Sequence, residues 1–239
     1  MKTVLITGAN QGIGFETARQ LAQLGYFVYL GSRSKNKGHE AAVKLKNLGI
    51  SNIAWVELDV THINSIIEAR RQVESQTDVL DVLINNAGIA GTQPQNIVTG
   101  EMENLRQVFD TNFFGVVQTT QQFIPLLKKS NHPVIANISS ELGSLTLHHE
   151  TPNPNFSLYD AYSCSKTALN AFTVMLANAL RDQGFKVNSI TPGYTATQLN
   201  QYQGLQTPEQ GASAIVKYVT LNGEGPSGKF FNQQGEVPW

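Results

Sequence analysis

Tyr162-Ser163-Cys164-Ser165-Lys166 places a phenol and an ammonium four residues apart. On a helix, residues at that spacing share a face, so both groups can point into one pocket while Cys164 points elsewhere. A free phenol, with a pKa of about 10, gives up its proton poorly at neutral pH, but a cation about 4–6 Å away favours the phenolate. Tyr162 would then serve as an acid and base, with Lys166 lowering its pKa. Such a pair is common on helix surfaces, so its meaning depends on what accompanies it.

A glycine turn does accompany it. Thr7-Gly8-Ala9-Asn10-Gln11-Gly12-Ile13-Gly14 follows a short apolar run and opens a helical pattern. Gly8 permits a tight turn, Gly12 lets the backbone approach a pyrophosphate, and Gly14 lets helix and strand pack closely, while the helix N-terminus offers N–H groups to an anion. Three residues separate the first two glycines, where the common dinucleotide fingerprint has one. A structural turn could also use these glycines, but the position after a first strand favours a cofactor. Further on, Tyr29-Leu30-Gly31-Ser32-Arg33 closes a second strand without an acid to bind a ribose 2′-hydroxyl. Arg33 can instead take a 2′-phosphate in a two-bonded fork, which predicts NADPH. His148-His149-Glu150 is the cluster that suggests a metal, but adjacent residues do not share a helical face and no further ligands accompany them. No catalytic metal is expected.

These groups need a frame. Apolar, β-branched runs at Thr3–Ile6, Phe27–Leu30, Ile53–Leu58, Leu80–Ile84, Val134–Ile138, Lys186–Ile190 and Lys229–Phe231 alternate with helical patterns near 13–24, 37–48, 63–76, 101–128, 160–183 and 207–219. That alternation predicts an α/β fold, a doubly wound parallel sheet of about seven strands with helices on both faces. The first six runs are nearly continuously apolar, as in strands covered on both sides. The 239 residues read as a single domain, 1–239. The least structured stretches, Gly91–Gly100, Glu141–Leu158 and Tyr194–Gln206, follow strands, where such sheets place their ligands.

With the glycine turn and the Tyr162/Lys166 pair, Asn85-Asn86-Ala87-Gly88 after the fourth strand and Asn137-Ile138-Ser139-Ser140 after the fifth make the chain resemble the short-chain dehydrogenase/reductase family. The resemblance implies a Rossmann-type sheet and a tetrad of Asn112, Ser140, Tyr162 and Lys166. In it Ser140 and Tyr162 bind a carbonyl oxygen, Lys166 also holds the nicotinamide ribose, and Asn112 anchors a water leading to Lys166. Ser139 competes with Ser140, since neighbours in a strand face opposite ways; the family motif favours the second. The resemblance also gives Asn86, Ala87 and Gly88 to the cofactor site, Asp59 and Val60 to adenine, and Pro192, Gly193, Thr195 and Thr197 to the nicotinamide side. Lys37 stands where related reductases carry a second cation. Gly31-Ser32-Arg33, Leu83–Ala90 and the tail Gly225–Phe231 are most similar to monomeric NADPH-dependent carbonyl reductases. Without the resemblance, Asn112 would be a helix amide bonded to local backbone and Asp59 a helix cap.

The expected function is hydride transfer from NADPH to a ketone, aldehyde or quinone. Alternatives are an alcohol or sterol dehydrogenase working oxidatively and a non-catalytic NADP-binding sensor. A net charge of -1 and 15% charged residues, without basic blocks, argue against nucleic acid and anionic membranes. The single cysteine, Cys164, and an N-terminal apolar run too short for a signal peptide fit a cytoplasmic protein. The 21 residues between Ser140 and Tyr162, with Pro152 and Pro154, exceed the roughly dozen of simpler family members. Folded across the outer face of the following helix, they would give a monomer or weak oligomer.

Overall fold

The computed structural model describes residues 1–150, 158–221 and 223–239. Seven parallel strands form one sheet: β1 (Thr3–Ile6), β2 (Phe27–Ser32), β3 (Ile53–Glu57), β4 (Val82–Asn85), β5 (Val134–Ile138), β6 (Lys186–Ile190) and β7 (Lys229–Phe231). Their order is β3-β2-β1-β4-β5-β6-β7, so the chain builds outward in one direction from β1 and then in the other from β4. The seam between β1 and β4 is a topological switch point, where open parallel sheets leave a crevice.

Strand alternation decides the two layers. Val4 and Ile6 of β1 pack on one face with Phe15 and Leu21 of α1 (Gly12–Gln23), Leu45 of α2 (Lys35–Asn47) and Ile215 of α8 (Pro208–Val219). Leu5 points to the other face, with Ile66 of α3 (Ile63–Glu74) and Phe123 of α5 (Gly115–Leu127). On that face α7 (Asp160–Ala179) contributes Ala177. Both faces being covered, the strands can be apolar throughout. No described helix is long and apolar enough to cross a membrane.

The helix expected over 101–128 is interrupted. α4 (Met102–Phe109) passes through a π-helical turn, Asp110–Phe114, into α5. Two close contacts account for the wider turn. Asn112 exchanges hydrogen bonds of 2.9 Å with both backbone groups of Ile89, and Gly115 lies so near Val60 that a Cβ there would be 2.9 Å from the Val60 carbonyl oxygen. One extra residue in the turn lets the helix meet both. The helix expected over 160–183 ends earlier, giving way to a 3-10 turn at Arg181–Gln183.

Within the stretch expected to be least structured, α6 (Leu145–Glu150) forms. Ser144 accepts the Leu147 N–H at 3.1 Å while donating to the Pro238 carbonyl at 2.7 Å, and the Thr146 N–H donates to the Trp239 carbonyl at 2.8 Å. The C-terminal tail thus holds the start of this helix. Pro152 and Pro154 lie outside the described residues.

Candidate active site

A cleft of about 670 Å³ opens at the carboxyl ends of the strands. Its floor is the glycine turn, with Gly8, Asn10, Gln11, Ile13 and Gly14 in the lining. Gly8 and Gly12 have φ of +63° and +57°, a region that side chains disfavour. A Cβ on Gly8 would also lie 2.9 Å from the Ala87 Cα. Gly12 is set back against Thr197, whose methyl would be 3.4 Å from its Cβ.

The loop after β4 braces this turn. Asn86 Nδ2 donates to the Thr7 and Gly8 carbonyls at 2.8 and 3.1 Å, and the Thr7 hydroxyl accepts the N–H groups of Asn86 and Ala87, both at 2.9 Å. The backbone beside the cleft is therefore held before any ligand arrives. Asn86, Ala87 and Gly88 all line it.

Ser140, Tyr162 and Lys166 meet on the opposite side. The Ser140 hydroxyl accepts the Leu142 N–H at 3.2 Å and is hydrogen-bonded to the Tyr162 phenol. Ser139 is engaged elsewhere, its buried hydroxyl donating to Asn170 Oδ1 at 2.7 Å. Lys166 is only 4% exposed; its Nζ donates to the Ile138 carbonyl at 2.7 Å and lies 5.5 Å from the centre of the Tyr162 ring. Burial pushes the Lys166 ammonium down to about 8. Burial also pushes Tyr162 up to about 12, outweighing the Ser140 hydrogen bond. The lowering expected from Lys166 is not seen: the shift comes from loss of water around the phenol, opposed by Ser140 alone. The phenol is consequently protonated at neutral pH.

Asn112 is fully buried and outside the cleft lining. Its amide is taken up by Ile89 and by the Ser165 hydroxyl, 3.1 Å away, so its side chain ties β4's loop to α7.

The remaining expected residues divide. Arg33 lines the cleft, and no acid follows β2, where buried Ser32 donates to the Ser34 carbonyl at 3.0 Å. Lys37 does not join Arg33: it is exposed on α2, outside the lining, where the Ser34 hydroxyl caps the helix by accepting the Lys37 N–H. Asp59 and Val60 line the cleft. Burial alone would raise the Asp59 carboxyl, but hydrogen bonds from Thr61 at 2.7 and 3.0 Å and His62 at 3.4 Å hold it below the usual range. Pro192, Gly193, Thr195 and Thr197 line the far wall. The Thr195 hydroxyl turns back to the Pro192 and Gly193 carbonyls, at 3.3 and 3.2 Å. Gln11 Nε2 reaches across to Gln198 Oε1 at 2.7 Å, joining the glycine turn to that wall.

Gln95 was missed by sequence reasoning. It is 3% exposed, donates to the Ala90 carbonyl at 2.6 Å and accepts the Tyr162 N–H at 3.1 Å. Nothing in Gln93-Pro94-Gln95 announces that role.

The model of the family described as short chain dehydrogenase matches residues 2–207. The chain belongs to that family. It is an oxidoreductase, and its family binds a nicotinamide cofactor. This short-chain dehydrogenase is 31% identical to (+)-neomenthol dehydrogenase of Capsicum annuum over 297 aligned positions, which cover 95% of this chain and 94% of the relative. It is 31% identical over 294 positions to salutaridine reductase of Papaver somniferum, with 97% and 94% covered. These spans exceed its 239 residues, so both relatives carry segments that it lacks. The structure of NADPH-bound carbonyl reductase from chicken fatty liver superposes with a TM-score of 0.85 at 27% identity, covering 100% of this chain and 99% of that one.

Proposed function

We propose that this short-chain dehydrogenase is a carbonyl reductase that uses NADPH to reduce a ketone, aldehyde or quinone, with Tyr162 as the proton donor. The observation that carries the reading is the Ser140–Tyr162 hydroxyl pair in the cleft wall, with the phenol kept protonated by burial. A proton donor must hold its proton at working pH, and burial of this phenol favours that. The two hydroxyls can converge on one carbonyl oxygen and stabilise the charge that develops there. An alkoxide is a far stronger base than a phenolate, so transfer from Tyr162 runs downhill. Lys166 lies against the ring that must then carry negative charge, and it would also hold the nicotinamide ribose. Asn112 keeps the β4 loop and α7 in register beneath them.

The residues present fit a nicotinamide dinucleotide. Gly8 and Gly14 bring bare backbone to the cleft, the helix N-terminus supplies N–H groups, and Arg33 offers a cation with no acid at the end of β2 beside it. When bound, the cofactor supplies the hydride; the protein supplies position and charge. The named functions of salutaridine reductase and the NADPH-bound carbonyl reductase support the same direction and cofactor.

Steady-state kinetics over a panel of carbonyl compounds tests this reading. Tyr162→Phe is expected to lose turnover by about a hundredfold or more while its affinity for NADPH, followed by nucleotide fluorescence, stays near that of the parent. Substantial turnover in the Phe variant would remove Tyr162 from its role. NADPH should be preferred over NADH, and Arg33→Ala should erase most of that preference; comparable efficiency with NADH in the parent would overturn the cofactor assignment.

A further inference from the structure

Beyond Ser140 and Tyr162, one end of the cleft is walled by Leu142, Leu158, Tyr159, Tyr194 and Leu199, and Glu141 is the acidic residue among those lining it there. Glu141 opens the short 3-10 turn Glu141–Gly143, directly after Ser140, so a single peptide unit fixes its place relative to the reacting hydroxyls. It is half-buried and makes no ion pair among the described residues. The carboxylate's hydrogen bond is a long one, 3.5 Å from Asn232 Nδ2. Asn232 is itself fixed, its Oδ1 accepting the N–H groups of Gln234 and Gly235 at 2.9 and 3.0 Å. Residues 151–157, Thr-Pro-Asn-Pro-Asn-Phe-Ser, bring no charge. Lys166 is buried and committed to the Ile138 carbonyl, and Arg33 belongs to the end of the cleft beside β2.

A substrate that covers Glu141 must strip water from a carboxylate that is paired with no cation among the described residues. With an apolar substrate that loss is uncompensated. A protonated amine turns it into a charge-assisted hydrogen bond, and the rings of Tyr159 and Tyr194 also favour a cation. A substrate carboxylate adds repulsion. We propose that Glu141 is a specificity residue that selects carbonyl substrates bearing a protonated amine and rejects those bearing a carboxylate. The assignment rests on the carbonyl-reductase reading, in which the carbonyl lies against Ser140 and Tyr162.

The test uses three cyclohexanones substituted opposite the carbonyl with a dimethylaminomethyl, an isobutyl or a carboxymethyl group, which share shape and differ in charge. With the NADPH-loaded full chain, kcat/KM should favour the amine over the isobutyl compound by about tenfold or more, with the carboxymethyl compound last. Glu141→Gln and Glu141→Leu, each checked for folding by thermal melting, should bring the amine-to-isobutyl ratio to within about threefold. Equal efficiency on all three compounds in the parent, or an amine preference that survives in both variants, overturns the proposal. If the parent reduces none of them, the carbonyl-reductase reading fails. Calorimetric titration with the corresponding dimethylaminomethyl and isobutyl cyclohexanols then decides the role of Glu141. Tighter binding of the amine that is lost in Glu141→Gln upholds that role, and equal binding ends it.

Discussion

Lys166 is held as a cation where cations are costly. Burial shifts it from 10.5 to about 8, so the folded chain binds fewer protons than the unfolded chain between those values. Stability must then rise with pH across that window, since the unfolded state is the one taking up protons. Below about pH 8 the full penalty applies, on the order of 3 kcal/mol for a shift of this size. Lys166→Met removes the charge and keeps much of the stem. At pH 7 it should melt at a higher temperature than the parent, offset in part by the Ile138 carbonyl losing its donor, while carbonyl reduction collapses. Melting curves of both proteins from pH 7 to pH 10.5 check this: the parent should close the gap as pH rises. A Met variant that melts lower throughout would show that the Ile138 hydrogen bond outweighs the desolvation. The difference reports what the chain gives up to keep an ammonium beside its proton donor.

At the scale of elements, the site depends on how α7 is aimed. Its first turn is held from outside by the loop after β4: Gln95 accepts the Tyr162 N–H, and Asp160 Oδ2 accepts the Ile97 N–H at 2.8 Å. Gln95→Ala should therefore lower kcat by about tenfold, as a misplacement effect, with the KM for NADPH little changed. Gln95→Asn, which keeps both the donor and the acceptor on a shorter stem, should recover part of the loss; equal damage in both variants would assign Gln95 to packing alone. All seven strands and the α/β order were legible in the sequence, because buried parallel strands must be apolar runs and the glycine turn must follow the first. The π turn was not. Asp110-Thr111-Asn112-Phe113-Phe114 continues a helical pattern, and what widens it lies at Ile89 and Val60, far away in sequence. The same holds for α6, fixed by Pro238 and Trp239. Local pattern reveals what burial demands of a segment; it cannot reveal which distant backbone group will meet it.

Over the whole molecule, the cleft beside the switch point between β1 and β4 draws its lining from every βα unit. On α4, the π turn, α5 and α7, the large apolar side chains left exposed among the described residues are Met102 at 57%, Phe114 at 49% and Met175 at 69%. Three side chains are few beside the roughly 20–30 residues a side that a stable interface engages. The start of the insertion after Ser140 turns inward, Gly143 accepting hydrogen bonds from Thr167 and Asn170 of α7 at 3.1 Å each. We therefore expect a monomer or a weak oligomer whose specific activity is independent of concentration. Light scattering from low micromolar to high micromolar protein should give a mass near the 26.1 kDa of the chain at the dilute end, rising at most slightly. A stable tetramer at low micromolar concentration would show that α5 and α7 are paired surfaces, and Met175→Glu should then dissociate it; in a monomer that substitution on an exposed helix face should leave mass and activity unchanged.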